Sequence, residues 1–259
     1  MRTVICHYHI YKNSGVSFDT LLRSNYSDKH ISFDGPFPFF VINQDQLAQI
    51  VNAHPEAISF SSHQTRLPVP VSMDFRILPV IFVRHPLIRI HSVYQFKRKI
   101  QDGSTLSNWA NEWEFDRWAR ECLSDESELR QVSNMQTGLL SSVHMKQPES
   151  VKIDRVVEFN LHQAINNINS VELLARTEYF DDDVSRFPAI CEQHGIEFKF
   201  EQIDPQNSTS EDIQSPLPER IRNIKQKLSK NIYNQLIEAN KQDQHLFDHV
   251  SDLIQARHG

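Results

Sequence analysis

Thr3-Val4-Ile5-Cys6-His7-Tyr8-His9-Ile10, then Tyr11-Lys12-Asn13-Ser14-Gly15, then Val16-Ser17-Phe18-Asp19-Thr20-Leu21-Leu22-Arg23, decides how the chain is read. The first eight residues are β-branched and aromatic, the composition of a strand. Lys12-Asn13-Ser14-Gly15 interrupts them. Phe18, Leu21 and Leu22 then recur at helical spacing. Strand, glycine-bearing turn and helix at the start of a chain is the layout of a mononucleotide-binding α/β unit. Such a turn aims backbone N–H groups at one point, and the helix dipole adds partial positive charge there. Lys12 and the hydroxyls of Ser14 and Ser17 suit a phosphate or sulfate cradle. The plainer alternative is an ordinary strand–helix turn with a solvated lysine. Lysine precedes glycine and GxxxxGK[ST] is absent, which separates the turn from a Walker A loop.

A second unit lies further on. Phe75 to Val83 is continuously apolar, as in a parallel strand buried on both faces. Pro86 suits a first helical turn, and Leu87, Ile90, Val93 and Tyr94 continue a helix toward Ile100. Arg84 therefore sits at the carboxyl end of a buried strand, where open α/β sheets bind ligands. Ser92 follows eight residues later. Together they suit a phosphate held by charge-assisted hydrogen bonds; an arginine in a surface ion pair is the alternative. Ala57–Phe60 and Val171–Ala175 read as further strands. Helices are expected over Gln44–Ala53, Glu112–Leu123, Glu128–Val143, Tyr179–His194 closed by Gly195, Glu219–Ala239 and Gln244–Ala256. Phe33–Phe40 and Glu201–Pro218 read as loops. No repeat or linker interrupts this order. The expectation is one α/β domain over residues 1–259: a P-loop-like, three-layer fold with a central parallel sheet, flanking helices and a helical C-terminal part.

Composition narrows the function classes. Of 259 residues 39% are hydrophobic and 23% charged, a globular rather than disordered balance. Lys+Arg 27 against Asp+Glu 33 gives −6, which argues against a dedicated nucleic-acid binder. Cys6, Cys122 and Cys191 are far apart, without CxxC, so a reducing compartment is expected rather than a disulfide framework. No apolar run approaches the roughly 18–20 residues of a membrane span, and the first residues lack the apolar core of a signal peptide. A cytoplasmic protein is expected.

His9-Ile10-Tyr11-Lys12-Asn13-Ser14-Gly15-Val16-Ser17 resembles the first nucleotide signature of the sulfotransferases, H-I-P-K-T-G-G-T-S, in the branch of the heparan and chondroitin carbohydrate sulfotransferases. Arg84-His85-Pro86 with Arg89 and Ser92 resembles their second, R-D-P followed by R-x-x-S. Looser echoes are Asn134-Met135-Gln136-Thr137, Arg176-Thr177-Glu178 and Leu228 to Ala239. The resemblance implies a nucleotide donor, 3′-phosphoadenosine 5′-phosphosulfate (PAPS), a carbohydrate or glycoconjugate acceptor, and a bacterial cytosolic enzyme. It further implies that Lys12, Asn13, Ser14, Gly15, Val16 and Ser17 hold the 5′-phosphosulfate end, and Arg84 and Ser92 the 3′-phosphate. Four loop positions depart from the pattern. Tyr11 stands for proline, Asn13 for threonine, Ser14 for glycine and Val16 for threonine. His85 stands for aspartate.

Sulfuryl transfer needs the acceptor proton removed and the charge on the leaving nucleotide stabilised. Lys12, a mobile point charge beside the loop, suits the second task. Histidine suits the first. Among 13 histidines, His63 is the candidate base, because it follows the strand Ala57–Phe60 and related enzymes carry a histidine there. His9 is the alternative, and His85 and His91 flank the second motif. His7 and His9, two apart on a strand, face one side and make a potential metal pair. With no HExxH and no Cys/Asp cluster nearby, no metal is expected. Asp181-Asp182-Asp183 reads as a helix start. Lys97-Arg98-Lys99 and Arg220 to Lys230 read as solvated helix surface or contacts to an anionic acceptor. Trp109, Trp113 and Trp118 read as core, or as a stacking face for sugar. A non-catalytic nucleotide- or glycan-binding member of the fold and a P-loop-like kinase are the rival functions.

Overall fold

Alternation within Phe75–Val83 explains the architecture. Phe75, Ile77, Ile81 and Val83 enter one apolar cluster, whereas Leu78, Val80 and Phe82 enter another. A strand that feeds two cores must lie between two layers. The computed structural model describes residues 1–37, 40–141, 151–202 and 215–258. Within them β1 (Arg2–Tyr8), β2 (His30–Ser32), β3 (Ser59–Ser62) and β4 (Phe75–Val83) precede a small antiparallel hairpin, β5 (Val151–Ile153) and β6 (Val156–Glu158), and then β7 (Leu173–Arg176). The main sheet has the order β2-β3-β1-β4-β7, all parallel.

Thirteen helices are described: α1 (Gly15–Tyr26), α2 (Gln44–Ala53), α3 (Pro86–Lys99), α4 (Thr105–Glu112), α5 (Phe115–Ser124), α6 (Leu129–Val132), α7 (Met135–Ser141), α8 (Leu161–Asn169), α9 (Phe180–Val184), α10 (Phe187–Gln193), α11 (Leu217–Gln226), α12 (Lys230–Ala239) and α13 (Lys241–His258). Leu47 and Val51 of α2, Ile168 of α8 and Phe247 and Val250 of α13 cover one face of the sheet. Phe18, Leu21 and Leu22 of α1 and Phe187 of α10 cover the other. Residues of α3 to α6, α11 and α12 form a third, helical core around Trp118. The expected α/β fold with a helical C-terminal region is observed. No helix among the described residues is long and apolar enough to cross a membrane.

Helix ends depart from expectation where side chains capture the backbone. The Glu112–Leu123 reading is observed as α5, which starts three residues later at Phe115 because the backbone at Trp113 is extended; α4, capped by Ser104, was not expected. Glu128–Val143 breaks at Ser133-Asn134, where Asn134 turns left-handed (φ 46°) and its amide donates to Val157 O; Val143 itself lies outside the described residues. Glu219–Ala239 breaks before Ser229, which caps α12. Tyr179–His194 resolves into a 3₁₀ turn and two short helices, and Gly195 closes them at φ 72°. Most of the Glu201–Pro218 loop lies outside the described residues. The Asp181–Asp183 run is more than a helix start, since buried Asp183 accepts from Arg176 Nε and Nη2, both at 2.9 Å. Trp118 is core, while Trp109 and Trp113 stack half-buried, 5.4 Å apart.

β1 has β3 on one side and β4 on the other, reached by connections running in opposite senses. The loop after β1 thus opens at a topological switch point, the place where doubly wound sheets take ligands.

Candidate functional site

The loop between β1 and α1 is built from left-handed residues. Lys12 (φ 68°) and Ser14 (φ 59°) both adopt positive φ, as in backbone nests that turn N–H groups toward an anion. Asn13 between them is fully buried. Its side-chain amide donates to Phe82 O (2.8 Å) and Gln136 Oε1 (2.7 Å), and its backbone N–H donates to Ile10 O. Asn13 therefore holds the loop to the end of β4, with its side chain turned inward. Gly15 is required by close approach: a Cβ there would lie 1.8 Å from His9 Nε2. Ser14 and Ser17 are half-buried, and Val16 is 49% exposed.

The loop after β4 meets the first loop directly. Arg84 Nη1 donates to Lys12 O at 2.7 Å across 72 residues of sequence. Gln136 clamps both: its Oε1 accepts from Arg84 N and its Nε2 donates to Arg84 O, each at 2.8 Å. Arg84 also faces Glu178, Nε to Oε1 3.5 Å, with side chains 13% and 1% exposed. Burial raises the Glu178 carboxyl, against the pull of Arg84 and Arg220. Lys12 Nζ lies 4.4 Å from the ring centre of Phe96. Burial, then Arg84 and Lys99, push its pKa down to about 8. Ser92 is half-buried on α3, one turn before Phe96 and so on the same helix face.

At the end of β3, His63 is half-exposed, and its ring stacks on His9 with centroids 3.9 Å apart. Its Nδ1 is 3.1 Å from Asp34 Oδ2. Asp34 Oδ1 also accepts the His63 backbone N–H (3.0 Å) and the Ser62 hydroxyl (2.8 Å). A carboxylate on Nδ1 fixes that nitrogen as the proton carrier and leaves Nε2 with its lone pair. Burial and the neighbouring His9 lower the His63 pKa, with Asp34 opposing, so the ring is neutral near physiological pH.

Behind His9 lies a second carboxylate that the sequence reading lacked. Asp19, on α1, accepts from His7 Nδ1 (2.7 Å) and from the Ser61 hydroxyl (2.6 Å). Burial alone would raise its carboxyl, but the His7 and His9 rings and Ser61 outweigh burial and hold it below the usual carboxylate range. The sequence offers no Cys/Asp cluster beside His7 and His9, and the fold brings Asp19 to them from α1. One signal was available: Asp19 is four residues after Gly15, facing back along α1 toward the strand. Asp34 sits in an irregular loop, where no periodicity marks it.

Other candidates fall elsewhere. His85 is buried against Phe247, and burial with Arg220 and Arg84 lowers it to about 4. His91 lines a separate cleft of about 570 Å³ with Tyr94, Arg98, Lys99, Phe115 and Lys227. Lys97 of the basic run pairs with Asp102 at 2.8 Å.

No family model matches this chain. Over 97% of its length it is 27% identical to a protein of Archaeoglobus fulgidus described only as uncharacterized, and the match spans 97% of that protein. That likeness brings no activity with it, so the chemistry is read from the geometry. A cation-flanked nest, an arginine anchored to it and an oriented imidazole occupy one sheet edge. Such a set can bind an anionic donor, accept a proton and stabilise charge on a leaving oxygen.

Proposed function

We propose that this chain transfers a sulfuryl group from PAPS to a hydroxyl of a carbohydrate or glycoconjugate. One observation carries the reading. The two segments that resemble the donor signatures are joined by the Arg84–Lys12 hydrogen bond at the switch point of the sheet. The N–H groups at the start of α1, Lys12 and Ser17 hold the phosphosulfate end, and Arg84 with Ser92 the 3′-phosphate. His63 takes the acceptor proton on Nε2 as the acceptor oxygen bonds to sulfur. The bond from sulfur to the bridging phosphate oxygen breaks in line, and Lys12 meets the charge that develops there. Asp34 is the positioning residue for His63. Three free, buried cysteines suit a reducing cytoplasm.

One observation favours a second reading, a non-catalytic binder: exposed Val16 stands where a hydroxyl would reach the donor. One experiment separates the two. Wild type should bind adenosine 3′,5′-bisphosphate and transfer sulfate from PAPS to a member of a saccharide panel. His63→Ala should keep nucleotide affinity and lose about 10²–10⁴-fold in transfer rate, the usual worth of a general base. Nucleotide binding without transfer would establish the binder. Wild-type turnover in His63→Ala would remove His63 as base, and no affinity for the bisphosphate would refute the donor itself.

A further inference from the structure

A strand places residues two apart on the same face, and here the fold sets a carboxylate opposite two such histidines. His7 belongs to β1, His9 follows it, and Asp19 comes from α1. All three are buried, and one ligand atom from each lies within 4.8 Å of the others. His7 Nδ1 and Asp19 Oδ1 are at hydrogen-bond distance, 2.7 Å. His9 Nδ1 is 3.4 Å from Asp19 Oδ2 and, although buried, has no hydrogen-bond partner. Buried nitrogens without partners are rare in folded proteins, and an ion or a water is a common reason for them. A separation of 3.4 Å is long for a hydrogen bond. It is the spacing of two ligands on one tetrahedral metal, about 3.3–3.5 Å for bonds of about 2.0–2.2 Å.

We propose that His7, His9 and Asp19 form a transition-metal site. Two imidazoles and one carboxylate select zinc or a similar borderline ion over magnesium or calcium, which prefer oxygen throughout. Binding replaces the proton between His7 Nδ1 and Asp19, releases it to solvent, and opens that 2.7 Å contact to a ligand spacing. The Ser61 hydroxyl, 2.6 Å from Asp19 Oδ1, stays as the outer partner that orients the carboxylate. The His63 ring, stacked on His9, covers the site on that side. The ion braces β1 against α1 beneath the Lys12 loop and takes no step in group transfer, so this site stands apart from the sulfotransferase reading.

Cobalt(II) titration of the full chain, followed by visible absorption and by equilibrium dialysis, tests it. One ion per chain is expected, with the absorption bands of a tetrahedral site. Asp19→Asn should weaken binding by at least roughly 100-fold, since even loss of an outer partner costs about 10–100-fold. Binding to surface histidines would survive Asp19→Asn, so equal affinity in that variant overturns the proposal. Should Asp19→Asn fail to fold, the wild-type titration still decides, because the absence of a saturable tetrahedral cobalt spectrum also overturns it.

Discussion

Lys12→Met should make this protein more stable at neutral pH while removing its proposed activity. Burial, Arg84 and Lys99 bring the Lys12 pKa from 10.5 to about 8. At about 1.4 kcal/mol per pH unit, that is roughly 3 kcal/mol against the charged form. Lys12 is only partly buried, and solvent screening removes about half of such a figure. Loss of the contact with Phe96 takes back roughly 0.5–1 kcal/mol, which a methionine sulfur on the same ring partly restores. The net expectation is a gain of about 1 kcal/mol at pH 7. The sign with pH follows from proton counting. Between about 8 and 10.5 the unfolded chain keeps the lysine proton that the folded chain has released. Wild-type stability therefore rises with pH across that window. The advantage of Lys12→Met is full below about pH 8 and fades above it. Urea denaturation of both proteins at neutral and at alkaline pH measures this. A variant less stable than wild type at pH 7, or a difference unchanged at alkaline pH, would refute the reasoning.

Gly15→Ala should expel the His9 ring from its seat, since the new methyl would meet Nε2 at 1.8 Å. A loss of about 1–3 kcal/mol is expected from such overpacking. The imidazole NMR signals of His9 and His63 should shift together, and unmoved signals would show that the ring is not seated there in solution. Val16→Thr should tighten donor binding by up to about tenfold, the worth of one neutral hydrogen bond of about 0.5–1.5 kcal/mol. Isothermal titration with adenosine 3′,5′-bisphosphate checks this, and an unchanged affinity would place the anion away from the first turn of α1.

Much of the sheet was legible because burial writes itself into composition. The strand Phe75–Val83 and the helix Gln44–Ala53 were read to the residue, since one feeds two cores and the other carries an Asn43–Gln46 capping box. The three-residue strand His30–Ser32 and the hairpin Val151–Glu158 were missed, because such short segments carry no period. Helices were read as too long wherever a polar side chain, such as Asn134 or Ser229, takes the backbone out of register by a tertiary or capping bond. At the candidate site, the placement of Lys12, Arg84 and His63 after strands was legible. Asp19 and Asp34 were not, since their meaning comes from histidines 12 and 29 residues away.

The role of Gln136 shows why a loose motif deserves a structural explanation. It is fully buried on α7, and its one amide touches both signature segments, Asn13 in the first loop and Arg84 in the second. Its own backbone N–H donates to Asp243 Oδ2 at 3.1 Å, and Thr137 donates twice to Oδ1 of the same carboxylate, at 2.7 and 2.8 Å. Asp243 thus fixes the start of α7, α7 fixes Gln136, and Gln136 fixes the distance between the two loops. None of these groups need touch a ligand. Such a buried network is rigid, because breaking any one of these bonds leaves a partner unpaired at a cost of about 1–3 kcal/mol. Asn13 belongs to this network. Its departure from the threonine of the resembled signature therefore supplies the longer, two-donor side chain that reaches Phe82 and Gln136 together. The loop keeps its shape through interior amide bonds, which leaves Lys12 and Ser17 to the donor that we propose.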